Sequence, residues 1–595
     1  MPDPDVLRIA NCSGFYGDRL AAAREMVEGG PIDVLTGDYL AELTMMILWK
    51  ARQKDPATGY AVTFLRQLEE VLGTCIDRGI KIVTNAGGLN PAGLAAEVRA
   101  LAERLGLRAR VAHVEGDDLM GRLEELQGGG HRLAHLDRGV SLAEAGVKPV
   151  SANAYLGAWG IAEALGAGAD VVVCPRVTDA SVVVGPAAWH FRWRRDDWDA
   201  LAGAVVAGHI IECGPQATGG NYSFMQELPD HRYPGFPLAE VHADGSSVIT
   251  KHPGSGGMVT IGTVTAQLLY EIGGPRYANP DVVARFDTIR LDQEGADRVR
   301  VSGVRGEPAP SDLKVCINYL GGYRNTMTFV LTGVDIDAKA ARAERMLFDL
   351  LGGHDRFESV DVRLTRTDRP DAPTNELASA QLRVTVKDPD PRRVGRAFSN
   401  AVIELALASY AGFYTTTPPT GESPYGVYWP TLVPAAEVAH AVVLPDGTRR
   451  AVAPTEAVQA APVEAPPVQL PPVPSGPTTR VALGTVIGAR SGDKGGNANV
   501  GLWARSGAGY VWLASYLTVE RFKQLVPESA GLDVQRYELP HLHALNFVVV
   551  GLLGDGVASA VRPDAQAKSL GEYVRSRLVD LPEALLGDAA PEAAR

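Results

Sequence analysis

From residue 1 to about 190, short apolar runs ending in polar or glycine residues alternate with alanine-rich stretches of helical period. Leu7–Asn11, Asp33–Leu35, Lys81–Thr84, Arg108–His113 and Asp170–Cys174 predict strands, and 19–28, 39–53, 61–78, 91–105 and 154–166 predict helices. A β/α alternation builds a parallel sheet. Further strands at 299–304, 327–331, 359–364 and 381–386, with helices near 338–351 and 391–409, predict an α+β middle subdomain. Prolines every few residues across 453–479 favour an extended linker that has no core of its own. Beyond it, strands near 481–487, 498–503, 535–539 and 544–552 and helices near 518–527 and 568–579 predict a small ferredoxin-like domain. The fold class expected is therefore α/β: a glycine-rich parallel-sheet N-terminal body at 1–280, the α+β subdomain at 281–452, the linker, and a small α/β C-terminal domain at 480–595.

Charge narrows the partners. With 57 Lys and Arg against 70 Asp and Glu and no basic run, nothing forms a nucleic-acid footprint. The start lacks a basic, apolar leader, and the longest apolar runs, such as 546–553, are too short to span a bilayer. A cytoplasmic protein with no membrane partner is expected, and its size makes a homo-oligomer the default expectation. Five cysteines, odd in number and without Cys-x-x-Cys spacing, read as reduced thiols.

In parallel sheets ligands bind beyond the carboxyl ends of the strands. Those positions hold Gly14, Asp18 and Arg19, then Asp38, Asn85, Asp117, and Arg176 with Asp179. The segment 208–221 adds His209, Glu212, Cys213 and Asn221 among glycines, a combination of base, carboxylate, thiol and amide. It reads either as part of the site or as a tight turn around a buried cysteine and a core histidine. Gly256 and Gly257 stand in a loop whose N–H groups could meet an anion, or in a structural turn. Arg490, Asp493 and Lys494 lie in a glycine turn suited to an anion or to an inter-domain contact.

No phosphate-binding loop, dinucleotide fingerprint or nucleophile elbow occurs, so no cofactor is evident. A divalent metal stays open: His131 and His135 are spaced i,i+4 with Asp137 nearby, although no His-Glu-x-x-His is present.

Read in order, Gly14-Phe15-x-Gly17-Asp18-Arg19, Gly116-Asp117-Asp118, Ala152-Asn153-Ala154-Tyr155-Leu156-Gly157, the stretch from Ala167 to Arg176 with Asp179, His209 with Glu212-Cys213-Gly214, Thr218-Gly219-Gly220 and Gly254-x-Gly256-Gly257 resemble the acyclic terpene utilization (AtuA-like) family. The resemblance covers about 5–450, and Ala489–Asn499 resembles that family's appended C-terminal domain. Cys174-Pro175 replaces an expected glycine, and Thr178 and Ala180 flank Asp179 unusually, so the substrate can differ from that of relatives. The resemblance implies catabolism of branched acyclic terpenoids through acyl-CoA thioesters. The corresponding expectation is a lyase or hydratase acting on a branched acyl-CoA or related carboxylic acid, with Asp38, Asp179, His209, Glu212 and Cys213 as catalytic candidates and Gly14, Asp18, Arg19, Asn85, Asp117, Asn153, Arg176, Asn221, Gly256, Gly257, Arg490, Asp493 and Lys494 as ligand-binding candidates. The alternative is a non-catalytic acyl-CoA-binding or scaffold subunit.

Overall fold

A computed structural model describes residues 5–589. The five expected N-terminal strands form the parallel centre of a mixed sheet: Val6–Asn11, Val34–Gly37, Lys81–Gly88, Val171–Pro175 and Val111–Glu115, in that spatial order. Antiparallel strands extend it on both sides, Pro237–His242 pairing with Val6–Asn11 and Ala441–Val443 pairing with Val111–Glu115. Open edges mean an open sheet rather than a barrel.

The connecting helices form where the sequence supplies both a face and an end. Asn90 caps Pro91–Arg104, its Oδ1 accepting from Gly93 N at 2.9 Å, with Pro91 at the first helical position. Val62–Arg78 stops at Gly79, whose φ of 71° suits glycine. Leu68, Val71, Leu72, Leu94, Val98 and Leu101 fill the core against Leu35 and Ile82.

Ser181–Phe191 and Trp198–Ile211 were not foreseen as helices. Both are apolar nearly all round, which removes the polar stripe that marks a surface helix. From Leu201 to Ile211 every side chain of the second is buried. The expected glycine loop at 208–221 is therefore corrected: it begins as the last turn of this helix, continues as the 3-10 turn Gly214–Thr218, and leaves Asn221 exposed at a φ of 58°.

The compact units do not follow the boundaries that composition suggests. Among the described residues one comprises 5–318, 428–557 and 564–589; the other comprises 319–427 with 558–563. The second unit has a sheet of Ser359–Thr365, Ser379–Asp388 and the Asp312–Thr332 strand from Tyr319 onward. Its helices Ile336–Leu351 and Arg396–Glu404 bury Leu347, Phe348, Phe398 and Val402 on Phe329, Leu331 and Val384.

In the first unit the C-terminal region is an antiparallel sheet of Ile487–Lys494, Asn497–Ala504, Ala544–Val549 and Val534–Leu539, in that order, with helices Gly507–Tyr516, Val519–Leu525 and Leu570–Ser576. It does not stand apart as a separate body. Ser223 Oγ donates to Ala489 O at 2.7 Å and accepts from Ala489 N at 3.0 Å, and Gly501 lies so close to Leu269 that any side chain there would overlap it. From 453 to 477 the proline-rich stretch has neither helix nor strand but is anchored: the Val463 carbonyl accepts from Arg285, and Pro466 O lies 2.9 Å from His541 Nε2; Thr478 and Thr479 already belong to the strand Thr478–Ala482. Among the described residues no helix is long and apolar enough to cross a membrane.

Candidate functional site

The carboxyl ends of the parallel strands deliver the central side chains. Asp38 follows Val34–Gly37, Asn85 lies within Lys81–Gly88, Asp117 follows Val111–Glu115, and Arg176 and Asp179 follow Val171–Pro175. The Asn85 amide donates to Asp38 Oδ1 while its own oxygen accepts from Tyr39 N at 2.8 Å, which fixes the amide's orientation. Asp38 Oδ1 also accepts from Leu40 N at 3.1 Å. Arg176 is 3% exposed; its Nη1 donates to Leu40 O at 3.1 Å and to Asp179 Oδ1 at 3.0 Å. Asp117 Oδ2 accepts from Asn153 Nδ2 at 2.8 Å and from Arg176 N at 3.3 Å, so Asp117 and Asn153 hold the Arg176 backbone.

Tyr155 joins this cluster between two cations, with the Arg176 guanidinium 4.3 Å and the Lys314 ammonium 4.9 Å from its ring centre. Its hydroxyl donates to Glu42 Oε1 at 2.8 Å, and Lys314 lies 3.9 Å from the same carboxylate. Glu212 comes from the end of Trp198–Ile211, with His209 Nδ1 3.1 Å from its Oε1. Gly14 is pressed against the backbone of Cys213, 2.9 Å from where a Cβ would stand, so only glycine lets the first strand's loop reach this turn.

The electrostatics are unusual. Burial, then Asp179, pushes Asp38 well above the ordinary carboxylate range. Burial, then Asp179 and Glu271, does the same to Glu212; burial, then Asp493, does so to Glu271. Asp179 is raised by burial against the pull of Arg176, and burial brings Asp493 up to about 7. Burial also opposes charge on Glu42, but Lys314 and Arg176 outweigh it and hold Glu42 down at about 2. Lys494 is lowered to about 8 by burial and by Lys314. The side chains of Asp179, Glu271 and Lys314 nonetheless keep 28, 39 and 37% of their surface accessible. Partly accessible side chains thus stand beside desolvated charges in one cluster that solvent reaches.

Several candidates take other roles. His209 is fully buried, packs on Tyr277 and Phe286, and is lowered to about 4 by burial, which keeps it neutral at pH 7. Cys213 is raised well above its ordinary value by burial and Glu212, the reverse of what a thiolate nucleophile needs. Arg19 pairs with Glu25 in an exposed bridge, and Asp18 accepts from Gly14 N at 2.8 Å, closing the loop after the first strand. Gly256 and Gly257 pack on the backbone of Tyr233 and Thr218. Among the described residues no three His, Cys, Asp or Glu side chains converge to hold a metal ion, His131, His135 and Asp137 included.

Glu42, Tyr155, Lys314, Glu271 and Tyr277 were not singled out as site residues. Glu42 reads as an ordinary first-turn acid and Lys314 as a strand residue; only the residues folded against them give either a special environment.

No curated protein matches the chain significantly. Residues 7–444 match the profile described as acyclic terpene utilisation family protein AtuA, and residues 481–580 match the AtuA ferredoxin-like domain. The chain thus belongs to the acyclic terpene utilisation family AtuA and carries that family's ferredoxin-like domain at its C-terminal end.

Proposed function

We propose that this protein is a catabolic enzyme that transfers protons at a branched acyl-CoA thioester or related carboxylic acid, in a lyase or hydratase reaction, within the charged cleft. Family membership supports the broader role in acyclic terpene utilisation. The observation that carries the finer reading is the meeting, beyond the strand ends, of desolvated carboxyl groups with a buried arginine: Asp38, Asp179 and Glu212 around Arg176.

Such chemistry needs an acid or base whose pKa lies near the working pH and a cation where negative charge develops on the thioester oxygen. Asp179 suits the first role, because burial lifts it above the ordinary carboxylate range while part of its side chain stays accessible. Arg176 suits the second: burial opposes its charge, but Asp179, Glu42 and Asp38 outweigh it and keep the guanidinium ionised. Glu42, ionised and bonded to Tyr155, anchors the cationic wall rather than exchanging a proton. An acyl-CoA-binding scaffold would have no use for several desolvated acids in one crevice.

The test is to incubate the protein with branched acyl-CoA esters and the matching free acids in deuterated water. Mass spectrometry then follows deuterium at the carbon next to the carbonyl and the appearance of cleaved or hydrated products. Exchange that is lost in Asp179→Asn, with ligand binding retained, supports the proposal. Neither exchange nor turnover with any ester or acid by wild-type protein refutes it.

A further inference from the structure

The two matched regions meet at one charged cluster. The hairpin of Ile487–Lys494 and Asn497–Ala504 belongs to the ferredoxin-like region, and its tip carries Asp493 and Lys494. The Lys494 ammonium donates to the backbone carbonyl of Glu271 at 2.7 Å and lies 5.9 Å from the Tyr277 ring centre. Glu271 has a φ of 56°, a conformation strained for a residue with a side chain. Both its backbone polar groups are held by the hairpin: Asn499 Oδ1 accepts from its N–H at 2.8 Å, while Lys494 takes its carbonyl. Asn546 fastens the next residues, its Nδ2 donating to Ile272 O at 3.2 Å and to Gly273 O at 2.6 Å.

Electrostatic neighbours locate the ammonium further. Lys314, Glu271, Glu42 and Glu212 all act on Lys494, and these groups come from the body rather than from the hairpin. Asp493, the preceding residue of the tip, also acts on Glu271 and lies 3.9 Å from Lys568. An ammonium has three hydrogens. One is used on Glu271, and among the described residues no second hydrogen bond of Lys494 is formed.

We infer that the ferredoxin-like domain completes the active cleft, with Lys494 supplying a catalytic cation that binds the anionic oxygen of the substrate. This rests on the proposed reading of the cleft as a thioester or carboxylate site. Lys494 would share the developing charge with Arg176 from the opposite module, which explains why the hairpin is locked to the body at Glu271 instead of being left free on the proline-rich tether. The domain would then be as necessary for turnover as the sheet that carries Asp179.

Two measurements on the full-length protein test it. In the first, Lys494→Gln and Lys494→Arg are compared with wild type on the thioester that wild type turns over, after thermal melting has shown the variants folded. The expected result is a fall in kcat of about 100-fold or more for Lys494→Gln with a much smaller change in KM, and partial rescue by Lys494→Arg, the scale set by loss of one donor to a developing oxyanion. A Lys494→Gln protein with kcat within about threefold of wild type overturns the inference and leaves the proposed function standing.

In the second, trace acetylation with acetic anhydride from pH 6 to 11 is read peptide by peptide by mass spectrometry. Lys494 should label with a midpoint near 8, against the ordinary lysine value of about 10.4, and bound thioester or carboxylate should protect it. A midpoint at the ordinary value, or unprotected labelling in the presence of bound ligand, overturns the inference. If wild type turns over nothing, the proposed function falls and the inference, which rests on it, falls with it.

Discussion

Asp117→Asn tests whether Asp117 holds the Arg176 backbone in place as a buried, protonated acid. Asp117 is 4% exposed, and burial raises its carboxyl from 3.8 to about 7, with Asn153 and the Arg176 backbone opposing. An acid whose folded pKa is raised binds its proton more tightly in the folded chain. Stability is then highest below 3.8 and declines as pH rises to about 7. At about 1.4 kcal/mol per pH unit the decline amounts to about 4 kcal/mol. Asparagine mimics the protonated acid: its carbonyl can accept from Asn153 and Arg176 N while its amide takes the place of the acid hydroxyl. Asp117→Asn should therefore match wild type near pH 3.5 and exceed it by about 4 kcal/mol at pH 8. The assay is urea unfolding of both proteins across that range, followed by tryptophan fluorescence. A stability difference that stays constant with pH, or that favours wild type increasingly as pH rises, refutes the reasoning. Because Asp117 acts on the Arg176 backbone, the variant should also keep most of its turnover.

Asp170 has the opposite sign. Lys81 and Arg110 overcome the burial that opposes its charge and hold it at about 2 instead of 3.8, so it stabilises the fold above 3.8 and loses that contribution as pH falls through about 2. Asp170→Asn should cost about 2 kcal/mol in urea unfolding at pH 7 and much less at pH 2. Gly501→Ala forces a methyl onto Leu269 and should cost about 1–3 kcal/mol, read as a lower thermal midpoint. Arg285→Met removes the donor to Val463 and should speed limited proteolysis between 453 and 477 about tenfold, if that contact contributes about 1.4 kcal/mol to keeping the segment closed.

The parallel centre was legible because its strands are short apolar runs bounded by polar residues, the first three of them followed by stretches of helical period. Asp38, Asn85, Asp117, Arg176 and Asp179 were legible as strand-end residues for the same reason, although their partners were not. His209 misled because glycines at 208, 214, 219 and 220 look like a loop, while the residues before them belong to a helix without a polar face. Glu271 carried a weaker signal, the glycines that follow it; its left-handed backbone appears only once Asn499 and Lys494 grip it.

The amino-acid order by itself determines the α/β class, the proline-rich connection and the polar groups at the strand ends, because these follow from local periodicity, backbone propensity and chain direction. Only the tertiary structure decides which of those groups share an environment. Lys494 lies 223 residues from Glu271 in the chain and 2.7 Å from its carbonyl in space. Desolvation and charge proximity, which set the protonation of Asp38, Asp179, Glu212 and Lys494, depend on that long-range packing and on nothing written locally around any of them.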